Sequence, residues 1–150
     1  MHIVMASSEA IPFAKTGGLA DVAGTLPIEL ARLGQSCSVF LPAYLAAKQV
    51  AAQLSNVEFQ DSVASFDIDL AGATIQAVIH RVRLQGESVD FYLVDQPMFF
   101  DRHGLYGDAH GSFGDNCARY CFFSRAVVEA IERLELPIRS EEHTSELQSR

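Results

Sequence analysis

Apolar and polar residues follow two different periods along this chain, and the changes of period mark its elements. His2 to Ser7 is a short apolar run ending in small polar residues, the pattern of a buried parallel strand. A loop from Ser8 to Gly18 follows, carrying Pro12 and the pair Gly17-Gly18. From Leu19 to Leu33 the apolar positions Leu19, Val22, Ala23, Leu26, Leu30 and Leu33 recur at helical spacing and predict a helix with that face inward. Pro27 lacks an N–H, so a kink or break is expected near Thr25–Leu26; Gly34 suits the helix end. Ser36 to Leu41 reads as a second strand, closed by Pro42.

Strand, helix and strand joined by short connections make a right-handed parallel βαβ unit. Its first strand-to-helix loop then lies at the carboxyl edge of the sheet, where open α/β sheets bind ligands. Tyr44 to Leu54 is a short helix candidate. Asn56 to Asp95 turns β-like, with turns at Ala71-Gly72 and Gln85-Gly86 and a half-exposed strand signalled by Ile75, Ala77, Ile79 and Arg81. His80, on that strand, reads as a surface residue. Pro97 to Phe113 is rich in loop residues. Asp115 to Leu136 is the strongest helix pattern, with Asp115 at the N-cap and Ala118, Cys121, Phe122, Ala126, Val128, Ile131 and Leu134 on its apolar face.

Bulk properties narrow the classes without choosing among them. The 150 residues suffice for one domain with a core, and 49% hydrophobic with 20% charged residues is ordinary for a soluble globular protein. A net charge of −8 offers no basic face, which argues against nucleic acid as a partner. No stretch reaches the ~18 apolar residues of a membrane span, so no membrane partner is expected. The N-terminal run is short and has no basic leader, so it reads as a strand and not a signal peptide. Cys37, Cys117 and Cys121 lack the spacing of a metal site, and a reducing, cytoplasmic compartment fits them. Cys117 and Cys121 share a helical face and read as core packing.

The last segment departs from this pattern. Arg139 to Arg150 is polar and aperiodic, and Arg139 to Ser149 match one translated frame of a common sequencing-adapter sequence. Residues 139–150 are therefore expected to be a non-native tail, and residues 1–138 a partial domain.

The chemistry concentrates in the loop from Ser8 to Val22. Adjacent glycines at the mouth of a helix let a ligand approach the backbone, and the first free N–H groups of that helix favour an anion. Lys15 adds a mobile positive charge. A tight turn at Gly17-Gly18 with a solvated Lys15 is the structural alternative. The loop is neither a Walker loop nor a GxGxxG dinucleotide signature.

The string SEAIPFAKTGGLADVAGTLPIELARLG closely resembles the opening of the glycogen and starch synthases, above all in the unbroken KTGGLADV from Lys15 to Val22. FDRHGLYG, Phe100 to Gly107, is similar to a second block of that family, and Asp115-Asn116 with Arg119 and Tyr120 to a third, with Phe113 where Tyr is usual. The resemblance implies the Rossmann-like N-terminal domain of a two-domain (GT-B type) retaining glucosyltransferase. It implies transfer from ADP-glucose to the non-reducing end of an α-1,4-glucan such as glycogen, with no metal and no cofactor. It also implies site roles: Lys15, Gly17 and Gly18 at the donor diphosphate, and Asp21 as the catalytic-side carboxylate near the glucose, with a role confined to the first turn of the helix as the structural alternative for Asp21. Glu9 and Tyr106 are further substrate-binding candidates, Glu9 also as a loop-fixing acceptor and Tyr106 also as a half-buried loop residue. Asp101 and Arg102 are expected to pair with each other and hold the glycine-rich loop, with glucan contact as the alternative. The family's HDWH-type segment and second domain do not occur before Ile138, so the chain alone is expected to be inactive. A non-catalytic Rossmann-like module binding a nucleotide or glucan is the alternative reading.

Overall fold

The structure, a computed structural model, describes residues 1–138; the tail expected from Arg139 onward lies outside the described residues. Strands β1 (His2–Ala6), β2 (Ser36–Pro42), β3 (Val57–Leu70), β4 (Ala73–Leu84) and β5 (Val89–Asp95) form one sheet in the order β1-β2-β5-β4-β3. Neighbours β1, β2 and β5 are parallel, whereas β4 runs antiparallel to both β5 and β3. The parallel pair β1–β2 needs a crossover, and helix α1 (Gly18–Arg32) supplies it. The expected turn at Ala71-Gly72 closes the β3–β4 hairpin, both residues having positive φ as a two-residue hairpin turn demands. Helices α2 (Leu45–Gln53) and α4 (Asn116–Arg133) fall where periodicity places them. The loop-rich stretch between β5 and α4 holds a single helical turn, α3 (Pro97–Phe100), and a small hairpin of β6 (Gly107–Asp108) and β7 (Gly111–Ser112).

The core is the middle of the sheet. Val39, Phe40, Leu41, Phe91, Leu93 and Val94 are buried on β2 and β5, which explains why those strands read as continuous apolar runs. Phe91 meets Phe13 on one face, with ring centroids 5.1 Å apart. On the opposite face Phe66, in register with Ala77, lies under the Arg133 guanidinium of α4. β1 is the edge strand and stays half-buried, against the expectation of a fully buried strand.

Four further expectations need correction. First, α1 is one helix through Pro27, without a break, and it buries Ala20, Ala23, Gly24 and Pro27 while Leu19, Val22, Leu26 and Leu33 are exposed. The reason is close approach: a Cβ on Gly24 would stand 2.4 Å from Ile11 Cγ1 and 2.5 Å from Ile11 O, so only small residues fit that face. Second, α4 buries Arg119, Phe122, Phe123, Ala126, Val127 and Ala130, which puts Val128, Cys117 and Cys121 in solvent. Third, His80 is buried, because a register shift in β3 between Gln60 and Ala64 wraps the strand around it. Its Nδ1 lies 2.7 Å from Asp61 Oδ1 and its Nε2 2.9 Å from Asp95 Oδ2. Fourth, Arg102 pairs with Asp115 at 2.6 Å and not with Asp101, which is bound by Lys48.

Candidate active site

The carboxyl ends of the three parallel strands send out the loops that build the site. After β1 comes Ser7 to Gly17, after β2 comes Ala43-Tyr44, and after β5 comes the stretch through Tyr106. They are tied to one another by hydroxyls. Tyr44 Oη donates to the Ser8 carbonyl at 2.7 Å and lies 2.8 Å from Tyr120 Oη, and Tyr106 Oη is 2.7 Å from Ser8 Oγ. Burial pushes the Tyr44, Tyr106 and Tyr120 phenols above their ordinary range, so all three remain neutral hydroxyl partners near neutrality.

The first loop is fixed from inside. Glu9, 4% exposed, accepts from both the Thr16 backbone N–H and the Thr16 hydroxyl at 2.7 Å. Ser7 Oγ donates to the Glu9 carbonyl at 2.7 Å, and Phe13 and Ala14 N–H groups both donate to Ala10 O. Ile11 N–H donates to Ala20 O at 3.0 Å, which fastens the loop onto α1. Phe13, fully buried against Phe91, anchors the loop by about 1.5–3 kcal/mol of apolar burial. Glu9 is thus engaged within the loop, the loop-fixing half of its two expected roles.

Lys15, Gly17, Gly18 and Asp21 lie together at the start of α1. Lys15 Nζ donates to Asp21 Oδ1 at 2.7 Å and Oδ2 at 2.9 Å, with both side chains about half exposed. Gly17 is the extended N-cap residue, no side chain caps this helix start, and Gly18 opens the helix. A Cβ on either glycine would meet nothing within 4 Å, and neither has positive φ. Packing among the described residues therefore does not require glycine there, in contrast to Gly24. Tyr106 shares this edge through Ser8, though its hydroxyl is spent on that contact and its ring tilts against Tyr120 at 5.9 Å.

Arg119 stood in the third family block without a role, and the structure makes it a brace of this edge. It is wholly buried, donating to Phe99 O at 2.7 Å, Leu105 O at 2.9 Å and Asn116 Oδ1 at 2.7 Å. Among the described residues its remaining Nη2 has no hydrogen-bond partner, but the guanidinium lies 4.9 Å from the Phe113 ring centroid and 5.4 Å from that of Phe100. With Arg102 over the same Phe113 at 4.9 Å and clasping Asp115, it shapes the loop that carries Tyr106. Arg102 holds the Asp115 carboxyl below the usual carboxylate range. A charged residue in the middle of a buried helical stripe was the available signal. Among the described residues, no group of three or more His, Cys, Asp or Glu side chains is arranged to hold a metal ion. No described helix is long and apolar enough to cross a membrane.

A mixed α/β sheet with uncapped helix N–H groups, a lysine and a carboxylate at its carboxyl edge is a Rossmann-like arrangement suited to an anionic ligand. The model of the starch synthase catalytic domain matches residues 2–142, and the chain belongs to that family. It is 38% identical over 143 residues to a glycogen synthase of Rhodopirellula baltica, a match covering 92% of this chain and 28% of the relative. It is 41% identical to a glycogen synthase of Koribacter versatilis, covering 91% of this chain and 27% of the relative. Among solved structures it superposes on the catalytic domain of starch synthase IV from Arabidopsis thaliana bound to ADP and acarbose. That likeness has a TM-score of 0.68 at 28% identity and covers 88% of this chain and 25% of the other. The chain thus spans little more than a quarter of the length of the curated relatives it matches.

Proposed function

We propose that these residues form the donor-diphosphate wall of a retaining glucosyltransferase that moves glucose from ADP-glucose to the non-reducing end of an α-1,4-glucan, as in glycogen synthesis. The observation that carries the reading is the grouping of Lys15, Gly17, Gly18 and Asp21 at the uncapped start of α1. A nucleoside diphosphate leaving group gains negative charge as the glycosidic bond breaks. Preplaced N–H groups, the helix dipole and a lysine stabilise that charge without reorganisation. The open space over Gly17 and Gly18 lets a pyrophosphate reach the backbone. Asp21, one helical turn along, is the carboxylate nearest the cation and serves the electron-poor glucosyl centre.

The Lys15–Asp21 pair does not obstruct this. Two half-exposed charges gain at most about 1 kcal/mol from each other, so a diphosphate carrying several charges draws Lys15 away at little cost. Glu9 keeps the loop in place for the donor, and Tyr106 borders the acceptor side. Residues 1–138 act as this partial domain, and the compartment is the cytoplasm. With one wall alone, water is not excluded and the two substrates are not aligned, so this chain binds ADP without turning over ADP-glucose.

Calorimetric titration of the chain with ADP, paired with an assay of glucose incorporation into glycogen, tests the reading. Binding on the millimolar scale, roughly −4 kcal/mol, that weakens on Lys15→Ala supports it. Absence of ADP binding to the folded chain would contradict the wall. Incorporation by the chain alone would contradict its restriction to one wall.

A further inference from the structure

We propose that Cys117 and Cys121 form a two-thiol clamp for thiophilic electrophiles of the trivalent organoarsenical and mercury(II) class. The two residues sit one turn apart on the outer face of α4, and both are exposed among the described residues. The neighbouring Cys117 raises the Cys121 thiol above its ordinary range. They open on a shallow groove of about 480 Å³ shared with Tyr120, Ser124 and Arg125.

Geometry decides which chemistry the pair takes. Residues four apart on a helix hold their Cβ atoms about 5–6 Å apart. A disulfide needs about 3.5–4.5 Å, so direct oxidation to an intrahelical bond has to bend the helix. An atom inserted between the sulfurs adds the missing reach and leaves the helix straight. Ligand number points the same way. Zinc asks for four ligands, and neither His, Asp nor Glu lines this groove. Soft ions and trivalent arsenic are satisfied by two thiolates, the remaining arsenic position being held by its organic group. The aromatic face of Tyr120 and the aliphatic stem of Arg125 give that group an apolar bed.

With an aryl arsenoxide the reaction balances without an oxidant. Two S–H bonds and the As–O bonding break, two As–S bonds form, and oxygen leaves as water carrying both thiol protons. The oxidation states of sulfur and arsenic do not change. Arg119 and Tyr120 lie between the two cysteines, so the bridge spans the turn that braces Leu105 and the loop behind Tyr106.

The test uses phenylarsine oxide on the full 150-residue chain, read by intact mass with far-UV circular dichroism on the same sample. The expected result is one adduct per chain that survives excess glutathione, is removed by 2,3-dimercaptopropanol, and leaves the helical signal unchanged. Cys117→Ser and Cys121→Ser should each lose the glutathione-resistant adduct, and peptide mapping should place it on the segment containing both cysteines. An adduct retained by either single variant, mapped to Cys37, absent from the wild type, or formed only with loss of helical signal would overturn the proposal.

Discussion

Lys15 Nζ lies 2.7 Å and 2.9 Å from the two carboxylate oxygens of Asp21, so the cation and the anion of the candidate site neutralise each other. The pair spans the first turn of α1 with Gly17 and Gly18 beside it. On the proposed binding of ADP, the two residues should have opposite effects. Lys15→Ala removes a cation from the diphosphate and should weaken ADP binding about tenfold, near 1.4 kcal/mol. Asp21→Asn releases Lys15 and removes a like charge from the ligand, so ADP binding should strengthen, by up to about fivefold for an exposed pair. Calorimetry on the two variants reads both signs. Equal weakening by both substitutions would show that the pair is structural.

The three glycines near the loop should separate cleanly. Gly24→Ala drives a Cβ into Ile11 side chain and backbone, and should cost about 1–3 kcal/mol of stability. Gly17→Ala and Gly18→Ala meet no atom within 4 Å and should leave thermal stability nearly unchanged while reducing ADP affinity. Thermal melts with parallel ADP titrations distinguish the two behaviours.

Those glycines also show what was legible in the sequence. The Lys15 to Val22 string identified the loop, and the strand–helix–strand spacing placed it at the carboxyl edge. Gly24 was not legible, because its requirement comes from Ile11, thirteen residues back and brought in by the loop's fold. The same close approach reversed the reading of α1: large apolar residues mark a core face only when the helix stands at ordinary distance. His80 escaped for a similar reason, since the bulge that buries it and the partners Asp61 and Asp95 lie on two other strands. Arg119 was legible only as part of a family-like block, and its role comes from the carbonyls of Phe99 and Leu105, which lie outside α4.

Glu9→Ala should loosen the loop that presents Lys15. It leaves the Thr16 N–H and hydroxyl without their acceptor, and losing hydrogen bonds to a charged group costs about 1.5–3 kcal/mol. Hydrogen exchange at the Thr16 amide should accelerate while amides in the middle of β5 keep their relative protection. Unchanged Thr16 exchange would contradict the loop-fixing role.

Acid should act through Asp95. Burial pushes its carboxyl up, but the His80 hydrogen bond and the Lys48 charge outweigh burial and hold it below the usual carboxylate range. A depressed folded value means the stabilisation is complete above the ordinary Asp range, near 3.9, and is lost as pH falls through the lower folded value. Asp95→Asn should therefore melt at lower temperature than the wild type at pH 6, and the gap should narrow below about pH 4. A constant gap would exclude this carboxylate from the acid response.

Arg119→Met tests the brace behind Tyr106. It removes the donors to the Phe99 carbonyl and the Asn116 side chain and one of two donors to the Leu105 carbonyl, and should cost about 3 kcal/mol. Urea unfolding of the variant measures this, and a loss under about 1 kcal/mol would contradict the role given to this residue.

The central claim is that a nucleoside diphosphate binds at the start of α1. Backbone amide shifts of the isotopically labelled chain, followed through an ADP titration, test it most directly. The account predicts that Gly17, Gly18 and Leu19 move most, with Lys15 close behind, and that Lys15→Ala reduces the response. Saturable shifts that leave residues 15–21 unmoved and gather elsewhere, such as around His80 and Lys48, would contradict it.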